Sequence, residues 1–167
     1  MKRDISFVML IIVCLCVGVA TLIIWQYQTR HDETKIPLSI TEGTGFLTFK
    51  AYLNGKEILM AVDTAANTTV FNRALIDELN LETKEKSGTS IRAGGSLPMF
   101  SAYVEDFRVG NISYHGDFDF VDLSHPNKGI EISGDPQIDG LLGADILLKW
   151  NAVIDYKELI LVIRQYR

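Results

Sequence analysis

AVDTAANTTVF, Ala61 to Phe71, is the stretch whose reading decides this chain. Apolar Ala61-Val62 runs into Asp63-Thr64, two small residues follow, and β-branched Thr68, Thr69 and Val70 resume the pattern. A carboxylate at the end of a buried strand is costly to desolvate unless it is hydrogen-bonded or belongs to a site. The small residues behind it, Ala65 and Ala66, let another backbone or a bound molecule come close. The plain alternative is that Asp63 starts a turn, a common use of aspartate.

Working outward, Phe46 to Leu53 (FLTFKAYL), Asn54-Gly55 and Lys56 to Asp63 predict a hairpin whose second strand delivers Asp63. Asn-Gly supplies the positive φ angles that a tight type I′ turn requires. Beyond the loop, Asn72 is an N-cap for a helix over Arg73 to Leu79, with Leu75, Ile76 and Leu79 on one face. Two strands are expected within Ser87 to Asp106, around Ala93-Gly94-Gly95-Ser96-Leu97-Pro98. Glycines at such a tip suit a static turn and a mobile lid alike. Arg108 to Ser113 and Asp117 to Leu123 continue as strands, and Ser124 to Pro136 is polar and turn-rich, a loop. Leu141 to Gly143 is a short buried strand and turn, followed by a brief helix over Ala144 to Lys149. Ala152 to Asp155 and Glu158 to Ile163 close the chain as a hairpin.

Three pieces taken together, Asp63-Thr64 with its small pair, the NRALIDELNL helix and IDGLLGADILLKWNAVIDY (Ile138 to Tyr156), resemble the retropepsin-like aspartic proteases. The resemblance covers Phe46 to Ile163. It implies an all-β fold, a retropepsin-like closed β-barrel forming one half of an acid protease, with one or two short helices. It implies that Asp63 is catalytic and that Thr64, Ala65 and Ala66 support the active-site loop. Ala93, Gly94 and Gly95 would form a flap, and Gly143 and Asp145 a structural turn behind the site. The chemistry of that class needs two carboxylates sharing one proton: the ionised one takes a proton from water, and the protonated one polarises the scissile carbonyl. The chain has a single Asp-Thr followed by a small pair, so a complete site requires a homodimer acting on a peptide or protein substrate.

Ala65 stands where the family has glycine. If the position demands a glycine-only conformation, alanine strains the loop by roughly 1–2 kcal/mol. If its backbone is ordinary, the methyl group only narrows the floor of the cleft. A non-catalytic peptide-binding or scaffolding module of the same fold is the alternative function.

Composition narrows the remaining classes. The chain of 167 residues carries a formal net charge of −5, and no basic stripe is visible, which argues against nucleic acid as a partner. His31, His115 and His125 are scattered without the paired spacing of a zinc site, so no metal and no cofactor are expected. Cys14 and Cys16 lie inside one hydrophobic run and cannot staple the rest of the chain.

That run, Ile5 to Trp25, is uncharged (ISFVMLIIVCLCVGVATLIIW) and would make a helix about 31 Å long, enough to span a bilayer core. Trp25 and Tyr27 sit at an interfacial position. A cleaved signal peptide ending at Gly18-Val19-Ala20 is the competing reading, but the run continues through Leu22, Ile23 and Ile24. The expected organisation is a cytoplasmic tail (1–4), a transmembrane helix (5–25), a polar linker (26–37) and a protease domain (38–167). The domain is expected outside the cytoplasm, periplasmic or extracellular, held to the membrane through its N-terminal helix.

Overall fold

The computed structural model describes residues 32–92 and 95–165, together with residues 9, 12–13 and 15–22 near the N-terminus. Glu33–Gln165 forms one compact unit, and the N-terminal segment belongs to another. In that segment residues 15–22 are helical (α1). Of the expected span 5–25, residues 5–8, 10, 11, 14 and 23–25 lie outside the described residues. Among the described residues no helix is long and apolar enough to cross a membrane.

The elements then run β1 (Asp32–Pro37), β2 (Ser39–Ile40), β3 (Leu47–Leu53), β4 (Lys56–Val62), β5 (Val70–Asn72) and α2 (Ala74–Glu78). There follow β6 (Thr83–Arg92), β7 (Gly95–Val109), β8 (Ile112–Val121), α3 (Ser124–Ile132), β9 (Gly140–Leu142), α4 (Ala144–Lys149), β10 (Val153–Asp155) and β11 (Ile160–Gln165). One sheet has the order β2-β3-β4-β9-β5-β8-β7-β6, and β3 also pairs with β7. That extra pairing, Leu53 opposite Phe107, closes β3-β4-β9-β5-β8-β7 into a six-stranded barrel. A smaller sheet, β1-β11-β10, packs on the same core through Ile36, Leu161 and Ile163.

Strand alternation builds the core. On β3, Phe49, Ala51 and Leu53 point inward while Lys50 is exposed. Phe71 sits among Phe107, Phe118 and Phe120 with ring centroids 5.1–5.6 Å apart, and Trp150 stacks on Phe107. These aromatic contacts join β5, β7, β8 and the end of α4 into one apolar centre. On the outer face, a hydrogen bond from Lys50 to Glu57 raises the lysine's pKa and lowers the glutamate's.

The Asn54-Gly55 turn forms as its residues require, with φ of 46° and 85°. Asn54 also ties the turn to the adjacent strand β7: its Oδ1 accepts the backbone N–H groups of Glu105 and Asp106, both at 3.0 Å. It holds β7 where the β7–β8 register shifts between Val104 and Phe107.

Three sequence expectations are corrected. Asp32 to Pro37, read as part of a linker, is β1, because Ile36 and the following Leu38 are buried and Leu38 N–H bonds to the Leu159 carbonyl. Arg108 to Ser113 is not one strand: Gly110, at φ 59°, turns the chain between β7 and β8. Ser124 to Pro136 is not a loop throughout, since it contains α3. Asp122 accepts the Ser124 N–H and Pro126 lies in the first turn, where its missing N–H costs nothing. The buried stripe of this helix is Asn127 and Ile130, following buried Leu123. Among the described residues of the barrel unit there are therefore three short helices, α2, α3 and α4, where one or two were expected.

Candidate active site

Asp63 follows the last residue of β4. That strand lies parallel to β9, pairing Ala61 with Leu141 and Val62 with Leu142. The ladder continues one step further, as Asp63 N–H donates to the Leu142 carbonyl at 3.0 Å. The Asp63 backbone is thus placed by the sheet, and its side chain closes the turn that follows. Oδ1 accepts the N–H of Ala65 at 3.0 Å and of Ala66 at 3.2 Å. Asp63 is partly buried, while Thr64 and Ala65 are exposed.

The loop from Asp63 to Thr69 is tied to the chain that follows β9. The first N–H groups of α4 point at it: Ala144 donates to the Ala66 carbonyl at 2.8 Å and Asp145 to the Asn67 carbonyl at 3.3 Å. Helix N-termini leave such donors unpaired, and here the loop satisfies two of them. Asp145 answers in return, its Oδ1 accepting both the N–H and the hydroxyl of Thr69 at 2.8 Å.

Gly143 makes this approach possible. A Cβ there would lie 2.5 Å from the Thr68 carbonyl carbon and 2.6 Å from its oxygen, closer than any packed carbon sits. Its φ of −91° is ordinary, so space rather than backbone conformation demands glycine. Gly140 is similarly crowded, with the Val70 carbonyl oxygen 2.8 Å from where a Cβ would stand.

Of the residues picked out by sequence, Asp63, Thr64, Ala65, Ala66, Gly143 and Asp145 come together in one cluster at the ends of β4 and β9. Ala93 and Gly94 lie outside the described residues. Gly95 opens β7 and pairs with Arg92 of β6. Ala65 is not among the residues with positive φ, so its backbone is not in the glycine-favoured region. The residue is exposed.

Sequence reasoning missed Thr69, Asn127 and the part played by Asp139. Thr69 is 2% exposed and its hydroxyl also accepts the Gly143 N–H at 3.0 Å. Asp139 brackets β4 through Leu59, donating N–H to its carbonyl at 2.7 Å and accepting its N–H on Oδ2 at 2.9 Å. The only local signals were a β-branched run around Thr69 and an Asp-Gly step at Asp139. Neither names a partner in sequence.

Among the described residues of the Asp63–Thr69 loop there is one carboxylate, enough to bind or activate a water but not to supply a neighbouring acid. Among the described residues no group of three or more metal-capable side chains is assembled.

The fold and this loop define the class. Residues 49–146 match the Aspartyl protease family, and the chain belongs to the retropepsin-like aspartyl proteases. A retropepsin-like aspartic protease from Rickettsia conorii shares the fold at 17% identity and a TM-score of 0.55, over 81% of this chain and 93% of that one. The EIAV protease, solved in complex with an inhibitor, shares it at 19% identity and a TM-score of 0.52, over 70% and 99% of the two chains. A search among curated proteins finds no match.

Proposed function

We propose that this chain is a membrane-anchored aspartic endopeptidase whose active form is a homodimer. The observation that carries the reading is the placement of Asp63, fixed by β9 and by its own loop beside Gly143 and Asp145. In the dimer two Asp63 carboxylates share one proton. The ionised one removes a proton from water as the oxygen attacks the peptide carbonyl, and the protonated one hydrogen-bonds the developing oxyanion. Collapse of the tetrahedral species passes that proton to the leaving amine, which restores the pair. No cofactor enters the scheme.

Ala65 gives the competing reading, a peptide-binding module that has lost catalysis. The absence of positive φ at Ala65 favours the enzyme, because alanine there is outside the conformation that only glycine adopts without strain. Cleavage of a peptide library by the full chain in detergent, from acidic to neutral pH, is the deciding measurement. A statine-type inhibitor, whose hydroxyl stands in for the tetrahedral oxygen, should block it. Inhibitor binding without cleavage would favour the module.

The anchor is residues 5–25, with residues 1–4 cytoplasmic and the catalytic domain outside the cytoplasm. Supporting this, Met9, Ile12, Leu15 and Leu22 are apolar side chains left exposed, as lipid-facing residues are. Carbonate extraction tests the attachment, and protease accessibility in spheroplasts tests the side. Release by carbonate, or protection of the domain, would overturn the respective half of this assignment.

A further inference from the structure

At the start of β9, the opposite end from the one that holds Asp63, the surface opens into a cleft of about 340 Å³. That volume falls within the range of small-molecule sites. Two strands meet there: β5 and β9 run antiparallel with Phe71 opposite Gly140, and the Asn72 N–H donates to the Asp139 carbonyl at 2.7 Å. Asn72, Asp122 and Gln137 line the cleft from these strands and the chain beside them. The other wall is α3. Its Ser124, Asn127, Lys128 and Glu131 stand at i, i+3, i+4 and i+7, the spacing of one helix face, and all four line the cleft. A polar face of a surface helix ordinarily meets open water. This one meets a second polar wall. Asn127, 3% exposed, is the most deeply placed of these residues. Its amide uses one N–H and one oxygen lone pair on the Ile138 backbone, out of two of each.

We infer that this cleft binds a small polyhydroxylated amine, an amino sugar in chemical type. Its walls present three amides, a hydroxyl, two carboxylates and one ammonium group, the donors and acceptors that hold a ring of hydroxyls. Two carboxylates, Asp122 and Glu131, stand against the single cation of Lys128, so the cleft favours a ligand carrying one positive charge and repels an anion. A peptide would find no pocket for apolar side chains, because Ala74 is the one apolar residue of the lining. A bare metal ion would find no group of three metal-capable side chains among the described residues. The site is separate from the Asp63 loop and does not depend on the protease reading.

The test uses the full chain in detergent at about pH 6, where a sugar amine is protonated. Glucosamine, glucose and glucuronate share a hexose ring and differ in charge. Calorimetry should find glucosamine bound about 10-fold more tightly than glucose, and glucuronate not bound. Glu131→Gln keeps the size of an exposed side chain and removes its charge. It should weaken glucosamine about 10-fold and leave glucose unchanged. Hydrogen exchange at the Asn72 and Ile138 amides should slow with glucosamine, which locates the ligand at the cleft. Equal binding of the three sugars, binding of none, or binding without protection at those two amides would each overturn the inference and leave the protease reading as it stands.

Discussion

Thr69 donates its hydroxyl hydrogen to Asp145 Oδ1 at 2.8 Å while its oxygen accepts the Gly143 N–H at 3.0 Å. One buried hydroxyl thus joins the end of the Asp63 loop to the turn before α4. The start of that loop is held by the Leu142 carbonyl. Clamped at both ends to the same short segment, the loop keeps the carboxylate oriented before any substrate arrives, which is the economical arrangement for electrostatic catalysis.

Thr69→Val keeps the shape and removes the hydroxyl. The Gly143 N–H is then buried without a partner, and the expected loss is about 1–3 kcal/mol of stability. Urea denaturation measures it, and Thr69→Ser should restore most of the loss. Equal midpoints for wild type and valine variant would show that the hydroxyl carries no load.

Glycine substitutions should split by position. Gly143→Ala places a methyl 2.5 Å from the Thr68 backbone, where no flexible side chain can yield. A loss of about 1–3 kcal/mol is expected. Gly129→Ala in α3 meets only the Thr44 methyl at 3.8 Å. It should gain about 0.5–1 kcal/mol through lower backbone entropy in the unfolded chain. Thermal melts of the two variants shifting in the same direction would contradict the packing argument.

Asn127 accepts the Ile138 N–H at 2.9 Å and donates to the Ile138 carbonyl at 3.0 Å. Asn127→Leu orphans both groups in a buried place. Each unpaired group costs about 1–3 kcal/mol, so this variant should be among the least stable single substitutions of the unit. Hydrogen exchange at Ile138 should accelerate with it. A leucine variant as stable as wild type would mean that water replaces the amide there.

Asp63→Asn should abolish hydrolysis and leave the fold intact. The amide oxygen can still accept from Ala65 and Ala66, so the turn survives, but it cannot take a proton from water. Full turnover with unchanged circular dichroism would remove Asp63 from the mechanism.

Ala65→Gly should lower stability by about 0.5–1 kcal/mol, because a loop without positive φ gains no relief and glycine adds unfolded-state entropy. A stabilised glycine variant would reveal strain at that position. If stability falls as expected, any rise in peptide cleavage would report a roomier cleft floor rather than a relaxed loop.

The hairpin around Asn54-Gly55, the strand running into Asp63, the Leu142-Gly143 turn and the helix after it were all legible in sequence. Each depends on a local pattern: a two-residue turn, apolar alternation, a break at a charged residue. What stayed hidden depends on partners distant along the chain. α3 was illegible because its buried stripe includes Asn127, a polar residue made apolar in effect only by both backbone groups of Ile138. β1 looked like tether because an edge strand keeps its charges outward and needs only Ile36 turned inward. Ala65 could not be judged until its φ was known. The bond from Thr69 to Asp145 joins residues 76 apart. Sequence alone determined the elements that their own side chains specify, together with the aspartate at a strand end. Tertiary structure decided the contacts whose second partner arrives only when the barrel closes, because a buried hydrogen bond stabilises only once both of its groups have left water.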